Sequence, residues 1–540
     1  MSMRLERAEL MNFEADYVIA GGGTAGCVLA NRLSEDPGVK VLLIEAGGEA
    51  KSFVAQIPAG YARLVGNPRF DWLYEAEADP TTGGRVQFWS GGRLLGGSSS
   101  INGQVYIRGT PADFDHWREQ GAFGWGYEDV LPYFRKLENW VGRPDPARGN
   151  AGPLSSAPIR DPHPLNEIFL EACREIGLPT IPDYNTGHME GAYLTQVSQR
   201  KGWRCSAEKG FLRPARSRPN LEVITGAYVD RIEIENGRAV AIVAHRGAER
   251  IRFSARREII VSGGTFGSPA ILLRSGIGPA DAVREAGIAP GHELNGVGRN
   301  FQEHPTVGIH KFINVPSLNS ATGPIDAVRY AYQFASRRGG PLTSTIVQSM
   351  GLARTREGLA EPDIQLHFVP LSFDMHPDGR ILMPKEPALN ITVSICHPKS
   401  RGEIRLNADR TPRIRHRFYD DPGDLQTLVD SAKFIERLFA APAFSRIIIG
   451  DRLPARTPDD DAGWADYVRK TSGIAYHPVG TCKMGTDAEA VVDPSLKVIG
   501  LRSLRVVDAS VMPRVTSANT NATTMMIAEK AADLIRGDAR

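Results

Sequence analysis

DYVIAGGGTAG, residues 16–26, reads as a short buried strand that runs straight into a glycine turn. Asp16 to Ala20 form the strand, and Gly21-x-Gly23-x-x-Gly26 follows without a break. Past the last glycine, CVLANRLSED places apolar residues at helical spacing, and a second strand, Val39 to Ile44, ends on Glu45. Strand, glycine turn, helix, strand and acid is the order of a dinucleotide-binding βαβ unit. Gly21 makes the tight turn, Gly23 lets the backbone approach a pyrophosphate, and Gly26 lets helix and strand pack closely. The helix N-terminus, entered through Thr24 and Ala25, points free N–H groups at the phosphates. Glu45, followed by Ala46, can take the ribose hydroxyls. The acid disfavours a 2′-phosphate, so NADP is not expected; the motif alone does not choose between NAD and FAD.

Outward from this unit the chain turns to β. After Pro219, LEVITGAYVDRIEIENGRAVAIVAHRG holds two alternating runs around Asn236-Gly237, the strongest short hairpin signal. RREIIVSGG (256–264) reads as a buried strand ending in a glycine turn, and LRVVDAS (504–510) supplies a strand very late. The pieces of one nucleotide-binding domain are thus dispersed along the sequence. Between about 304 and 472 the pattern differs: alternation in DIQLHFVP and NITVSICHP predicts an antiparallel sheet, followed by a helix near DLQTLVDSAKFIERLF. The expected fold is α/β (α+β overall). A Rossmann-like nucleotide-binding domain is built from residues 1–155, 196–305 and 475–540. A discontinuous antiparallel-sheet substrate-binding domain takes 156–195 and 306–474.

Composition narrows the function classes. At 540 residues the chain is too long for one simple core. Apolar content of 41% and charged content of 23% argue against extensive disorder. A formal net charge of +2, with no basic stripe, makes nucleic acid a poor partner. Five scattered cysteines without a CxxC pair fit reduced thiols, and no secretory h-region or run of about 18 apolar residues occurs. The expectation is a soluble, cytoplasmic protein with no membrane span.

Four ordered stretches resemble the glucose–methanol–choline oxidoreductases, over nearly the whole chain. They are GGGTAG with Glu45; GGRLLGGSSSINGQVYIRG (91–109); GTFGSPAILLRSGIG (264–278); and YHPVGTCKMG (476–485) with VVDASVMPRVTSANTNATTMMIAEKAADLI after it. The resemblance implies FAD as cofactor and alcohol oxidation as chemistry. It places Ser98, Asn102, Gly103, Gln104 and Val105 where the family's loop wraps the flavin, and Val229 where a backbone group meets the adenine. Asp508 and Ala509 fall at the end of a strand approaching the cofactor. His477 falls at the catalytic histidine, with Tyr476 beside it, and Asn519, followed by Thr520, at the histidine's partner. Some members attach FAD through a histidine next to the position of Asn102; Ile101 stands there, so noncovalent FAD is expected. Asn519 in place of a second histidine looks like the choline-oxidising branch, without making choline the substrate.

The residues themselves fit this chemistry. Oxidising an alcohol removes a proton from oxygen and a hydride from carbon, and a neutral imidazole suits the proton. Asn519 cannot titrate but can hydrogen-bond the substrate oxygen. TNATTMMIAEKAADLIRG predicts a helix starting near Asn521 and stopped by Gly537, its N-terminus beside the pair. Among twelve histidines, His304 in FQEHP reads better as structural than catalytic, and His367 and His397 lie on strands of the substrate region. Cys482 near His477 reads more simply as a packed thiol than a nucleophile. Trp72, Phe88, Trp89 and Phe373 are candidate pocket aromatics, each with core packing as its ordinary alternative. No metal-ligand spacing is present, so no metal is expected. The acceptor is oxygen or a quinone or other carrier. A non-redox FAD-containing lyase of the hydroxynitrile type is the alternative on the same fold.

Overall fold

The computed structural model describes residues 11–375 and 381–539. The first strand, β1 (Met11–Ala20), is followed by helix α1 (Thr24–Leu33) and β2 (Val41–Glu45), which pairs with β1 in parallel, Tyr17 against Val41 and Ile19 against Leu43. Next come β3 (Leu221–Thr225), β4 (Tyr228–Glu235), β5 (Arg238–Arg246), β6 (Glu249–Val261) and helix α2 (Gly264–Arg274). The sheet runs β3-β2-β1-β6, with the late strand Leu504–Val506 on the far side of β6. β6 is long enough for two jobs. One edge pairs in parallel with β1 along its length; on the other edge the first half closes an antiparallel meander with β5 and β4, and the second half takes the parallel Leu504–Val506 strand. At the β4–β5 turn Asn236 and Gly237 have φ of 49° and 72°, the positive pair that a type I′ hairpin turn requires.

A second sheet contains β7 (Pro305–Ile313), β8 (Ser349–Ala353), β9 (Ile364–Val369), β10 (Ala388–Ile395) and β11 (Ile448–Leu453), in the order β8-β9-β10-β7-β11. All of these pairings are antiparallel, as the alternation predicts, with Ile364 opposite Ile395. Because side chains alternate along a strand, Ile309, Leu366, Phe368, Ile391 and Val393 share one face. They form a core with Leu428 and Ile435 of helix α3 (Pro422–Phe439). The opposite face carries Thr306, His367, Asn390 and Thr392, and faces the site.

The C-terminal helix α4 (Thr520–Asp538) returns to the first sheet and packs on α1. Arg32 of α1 donates to both carboxylate oxygens of fully buried Glu529, at 2.8 and 2.6 Å, a bidentate pair joining the two ends of the chain. Gly537 does not stop this helix, contrary to the sequence expectation. It stays inside the last turn, and Ala539 caps the end by donating to its carbonyl. With no left-handed φ at Gly537, the usual glycine stop is not formed.

Candidate active site

The glycine turn is built as close approaches. Gly21 has φ of 112°, and a Cβ there would lie 2.3 Å from the Ser262 carbonyl oxygen. A Cβ on Gly26 would meet the Gly21 carbonyl oxygen at 1.9 Å, so α1 can start only where it does if residue 26 has no side chain. Gly97, at the head of the second glycine-rich loop, sits so near Gly23 that a Cβ would lie 2.8 Å from the Gly23 Cα. Gly23 itself faces open space, with nothing nearer to a Cβ than the Ser262 oxygen at 4.0 Å. Two glycine-rich loops and the first turn of α1, which presents only the small side chains of Thr24 and Ala25, thus line one end of a cavity of about 880 Å³. That cradle fits the pyrophosphate of a dinucleotide.

Every predicted site residue except Gly26 lines this cavity: Gly21, Gly23, Thr24, Ala25, Glu45, Ala46, Ser98, Asn102, Gly103, Gln104, Val105, Val229, Tyr476, His477, Asp508, Ala509, Asn519 and Thr520. Gly26 works from behind, on the Gly21 carbonyl. Glu45 does more than face the cavity: its two oxygens accept from Gly22 N at 2.9 Å and Gly47 N at 2.7 Å, strapping the glycine turn to the end of β2. Burial pushes its carboxyl up to about 7 in spite of these donors. Asp508 is likewise saturated, accepting from Gly264 N and Ser268 Oγ on one oxygen and from Ser510 on the other. It fixes the start of α2 against the end of the Leu504–Val506 strand. Ile101 is buried among Ala50, Ala55, Leu64 and Leu94, and it too reaches the cavity.

At the other end, His477 and Asn519 meet, with Asn519 Nδ2 2.8 Å from His477 Nε2. Asn519 is the residue that opens α4. Tyr476 takes a left-handed φ of 62°, a strained value for a non-glycine residue. The strained turn is anchored at the next residue, because the His477 N–H donates to buried Glu303 at 2.8 Å. Glu303 also accepts from His304 N and Trp89 Nε1, each at 2.8 Å, and burial pushes it up to about 7.

The proton positions in this cluster follow from one carbonyl. His304 Nε2 lies 3.1 Å from the Cys396 carbonyl oxygen, which only accepts, so Nε2 carries the hydrogen. Burial, with His397 and His367 nearby, pushes His304 down to about 3, so the ring is neutral and its Nδ1 is a bare acceptor. That Nδ1 lies 2.9 Å from His477 Nδ1, which must therefore donate. His477 is left with its lone pair on Nε2, the nitrogen that faces Asn519 and the cavity. Burial holds His477 well below the ordinary imidazole range, so this nitrogen is free of its proton at neutral pH. A proton acceptor of fixed tautomer beside an amide donor is what the arrangement offers.

His304, which the sequence reads as structural, and Glu303, which it does not single out, are the two residues that folding sets against His477. His304 lies 173 positions from His477, and no spacing rule links the two. Among the other candidates, His367 lines the cavity, whereas His397 binds Asp113 at 2.6 Å outside it. Trp72 and Phe373 line it; Trp89 is buried behind it on Glu303, and Phe88 is exposed on a rim strand. Cys482 is fully buried, and burial raises its thiol well above the ordinary range, so it is a packed thiol.

Comparison with known proteins agrees with this geometry. A GMC oxidoreductase N-terminal family model matches residues 15–306, and the corresponding C-terminal model matches 398–528. An oxygen-dependent choline dehydrogenase of Vibrio vulnificus (strain YJ016) is 37% identical, over 96% of this chain and 94% of that one. Among solved structures, pyridoxine 4-oxidase from Mesorbium loti superposes with a TM-score of 0.87 at 31% identity, covering 96% of this chain and 98% of its own. A formate oxidase variant of Aspergillus oryzae RIB40, studied for modification of its FAD, superposes with a TM-score of 0.91 at 27% identity, covering 98% and 99%.

Proposed function

The chain belongs to the GMC oxidoreductase family, and from that premise we propose that it oxidises a primary or secondary alcohol to the carbonyl, with His477 as base and Asn519 orienting the substrate oxygen. The observation that carries this reading is the His477–Asn519 pair at the end of a cavity whose other end is a dinucleotide cradle. FAD would be held by the Gly21–Gly26 turn, Glu45 and the Ser98–Val105 loop, without a covalent bond, since Ile101 offers no imidazole. When bound, the flavin supplies the hydride acceptor.

The protein's own groups handle the proton. An alcohol oxygen entering between His477 and Asn519 takes over the Asn519 Nδ2–H that His477 Nε2 otherwise accepts, and donates its own hydrogen to Nε2. As the O–H bond breaks, the imidazole becomes imidazolium, and its Nδ1–H stays on the lone pair of His304 Nδ1. The positive ring and the Asn519 N–H then stabilise the negative charge growing on oxygen, which drives the hydride off carbon. Burial of His477 and His304 keeps bulk water from supplying or taking that proton. Oxygen or a quinone-type carrier would take the electrons onward.

Anaerobic mixing of the yellow holoprotein with aliphatic, aromatic, polyol and amino alcohols tests the proposal. Flavin absorbance should bleach with at least one class. Acid or heat should release the flavin as FAD. Failure of every class to bleach it would remove the oxidoreductase assignment to alcohols.

A further inference from the structure

The end of the cavity beyond His477 is made by the inner face of the second sheet. Thr306 on β7, His367 on β9, and Asn390 and Thr392 on β10 point into it, with Val369, Phe373 and Ile346 around them. None of these side chains is anionic. Thr392 Oγ1 donates to Asn390 Oδ1 at 3.0 Å, leaving Nδ2 as the donor end of that amide. His367 is paired with Ser394 Oγ at 3.2 Å, and burial pushes it down to about 4, so it is neutral.

Three carboxylates at or beside the cavity are committed elsewhere. Glu45 straps the glycine turn, Asp508 holds the start of α2, and Glu303 lies beneath the His477 backbone with its oxygens on three N–H donors. Glu75 lines the cavity from an exposed position on the short strand Tyr74–Glu75 opposite Phe88, on the side of the stacked pair Trp72–Tyr74 and of Tyr228. The charge behind the loop that adjoins this lobe is positive. Buried Arg204 donates through Nη1 to the Asn102 carbonyl at 2.7 Å and to Asn102 Oδ1 at 3.0 Å. No carboxylate among the described residues pairs with it, and its Nε and Nη2 have no partner. It sits directly behind the Asn102–Gly103 loop, whose Gly103 adjoins Thr345 and Ile346.

We propose that this lobe selects uncharged alcohols and excludes a quaternary ammonium alcohol such as choline. The inference rests on the alcohol-oxidising reading above and specifies its substrate class. A cation entering here would lose its hydration and find amide, hydroxyl and neutral imidazole groups, with a guanidinium behind the adjoining loop. A neutral alcohol meets Asn390, Thr392 and His367 as hydrogen-bond partners and Val369, Phe373 and Ile346 as apolar wall.

The test compares choline with its uncharged isostere, 3,3-dimethylbutan-1-ol, on the holoprotein. Dissociation constants come from anaerobic titration followed by flavin absorbance perturbation and by calorimetry, and reduction rates from rapid mixing. The isostere should bind at least tenfold more tightly than choline. In Asn390→Asp, which adds a carboxylate at constant size, that ratio should move at least tenfold toward choline. Choline binding as tightly as the isostere overturns the proposal, and so does failure of both to bind. An Asn390→Asp ratio that does not move, in a variant with full FAD content, also overturns it. If both compounds bind in the expected order but no alcohol reduces the flavin, the charge selectivity stands and the oxidation reading falls.

Discussion

His477 has two neighbours that set what it can do, and each can be removed separately. In His477→Ala the alcohol proton has no acceptor, and flavin reduction should slow by about 10²–10⁴-fold, the scale of general-base loss. FAD content should hold, because the cradle is at the other end of the cavity. Asn519→Ala should also be slow, but through lost orientation, so its pH profile should keep the wild-type shape. That shape is constrained by burial. His477 is held well below the ordinary imidazole value of about 6.5, so the rate should be flat across neutral pH and fall only on the acid side. His304→Ala removes the acceptor of the Nδ1 hydrogen, so the ring can place that hydrogen on Nε2 instead. Its rate should drop with FAD content unchanged. Rapid-mixing rates from pH 5 to 9 for the three variants decide the matter. A wild-type rate and acid limb in His477→Ala would make another group the base. The pair was legible in the sequence because each member lies in a recognisable stretch, HPVGTCKMG and the segment leading into the last helix. The partner that fixes the tautomer was not, because its significance depends on one carbonyl, that of Cys396, brought to it by folding.

Among the elements, the first βαβ unit was the most legible, because its glycines obey contact geometry that any chain must respect. Gly26 and Gly237 make a useful pair of substitutions. Gly26→Ala would place a Cβ 1.9 Å from the backbone oxygen of Gly21, so α1 must shift away from β1. Since the start of α1 is also the phosphate end of the cavity, the variant should lose FAD and, with it, much of its stability. Gly237→Ala keeps open space around the new methyl but forces alanine into φ of 72°. It should cost about 1–2 kcal/mol in the hairpin and leave the flavin spectrum alone. Flavin content and thermal melting of the two purified variants check this. Full FAD occupancy in Gly26→Ala would mean that the close approach is not what positions the cradle. The Asn236-Gly237 turn and the β9–β10 alternation were readable for the same reason, since local sterics and period-two burial leave few alternatives. The end of α4 was misread because a glycine signals a stop only when its φ turns positive, and that depends on what the chain meets next.

At the level of the whole molecule, the sequence showed that the nucleotide-binding sheet is scattered but not how its parts are locked together. The Arg32–Glu529 pair and the two-part pairing of β6 are long-range facts with no local pattern. Assembly of the molecule also buries many titratable groups, and this gives a prediction about pH. Burial holds His304 at about 3 and His310, His367 and His416 at about 4, with His477 lowered as well. Each imidazole contributes stability that is fully present above the unfolded value near 6.5 and is lost as pH falls toward its folded value. Glu45 and Glu303, raised to about 7, act in the opposite sense. Their contribution is present below the unfolded carboxyl value of about 4.5 and is lost as pH rises through 7. Between pH 6 and 5 the lowered imidazoles outweigh the raised carboxylates, so unfolding takes up protons on balance. Thermal melting of the holoprotein should therefore fall by several degrees between pH 7 and 5. Glu303→Gln, which removes one opposing carboxylate while keeping an oxygen for the His477 and His304 N–H groups, should make that fall steeper. His310→Gln should make it shallower. A melting temperature that stays level or rises from pH 7 to 5 would mean that water reaches these imidazoles and lets them charge within the fold.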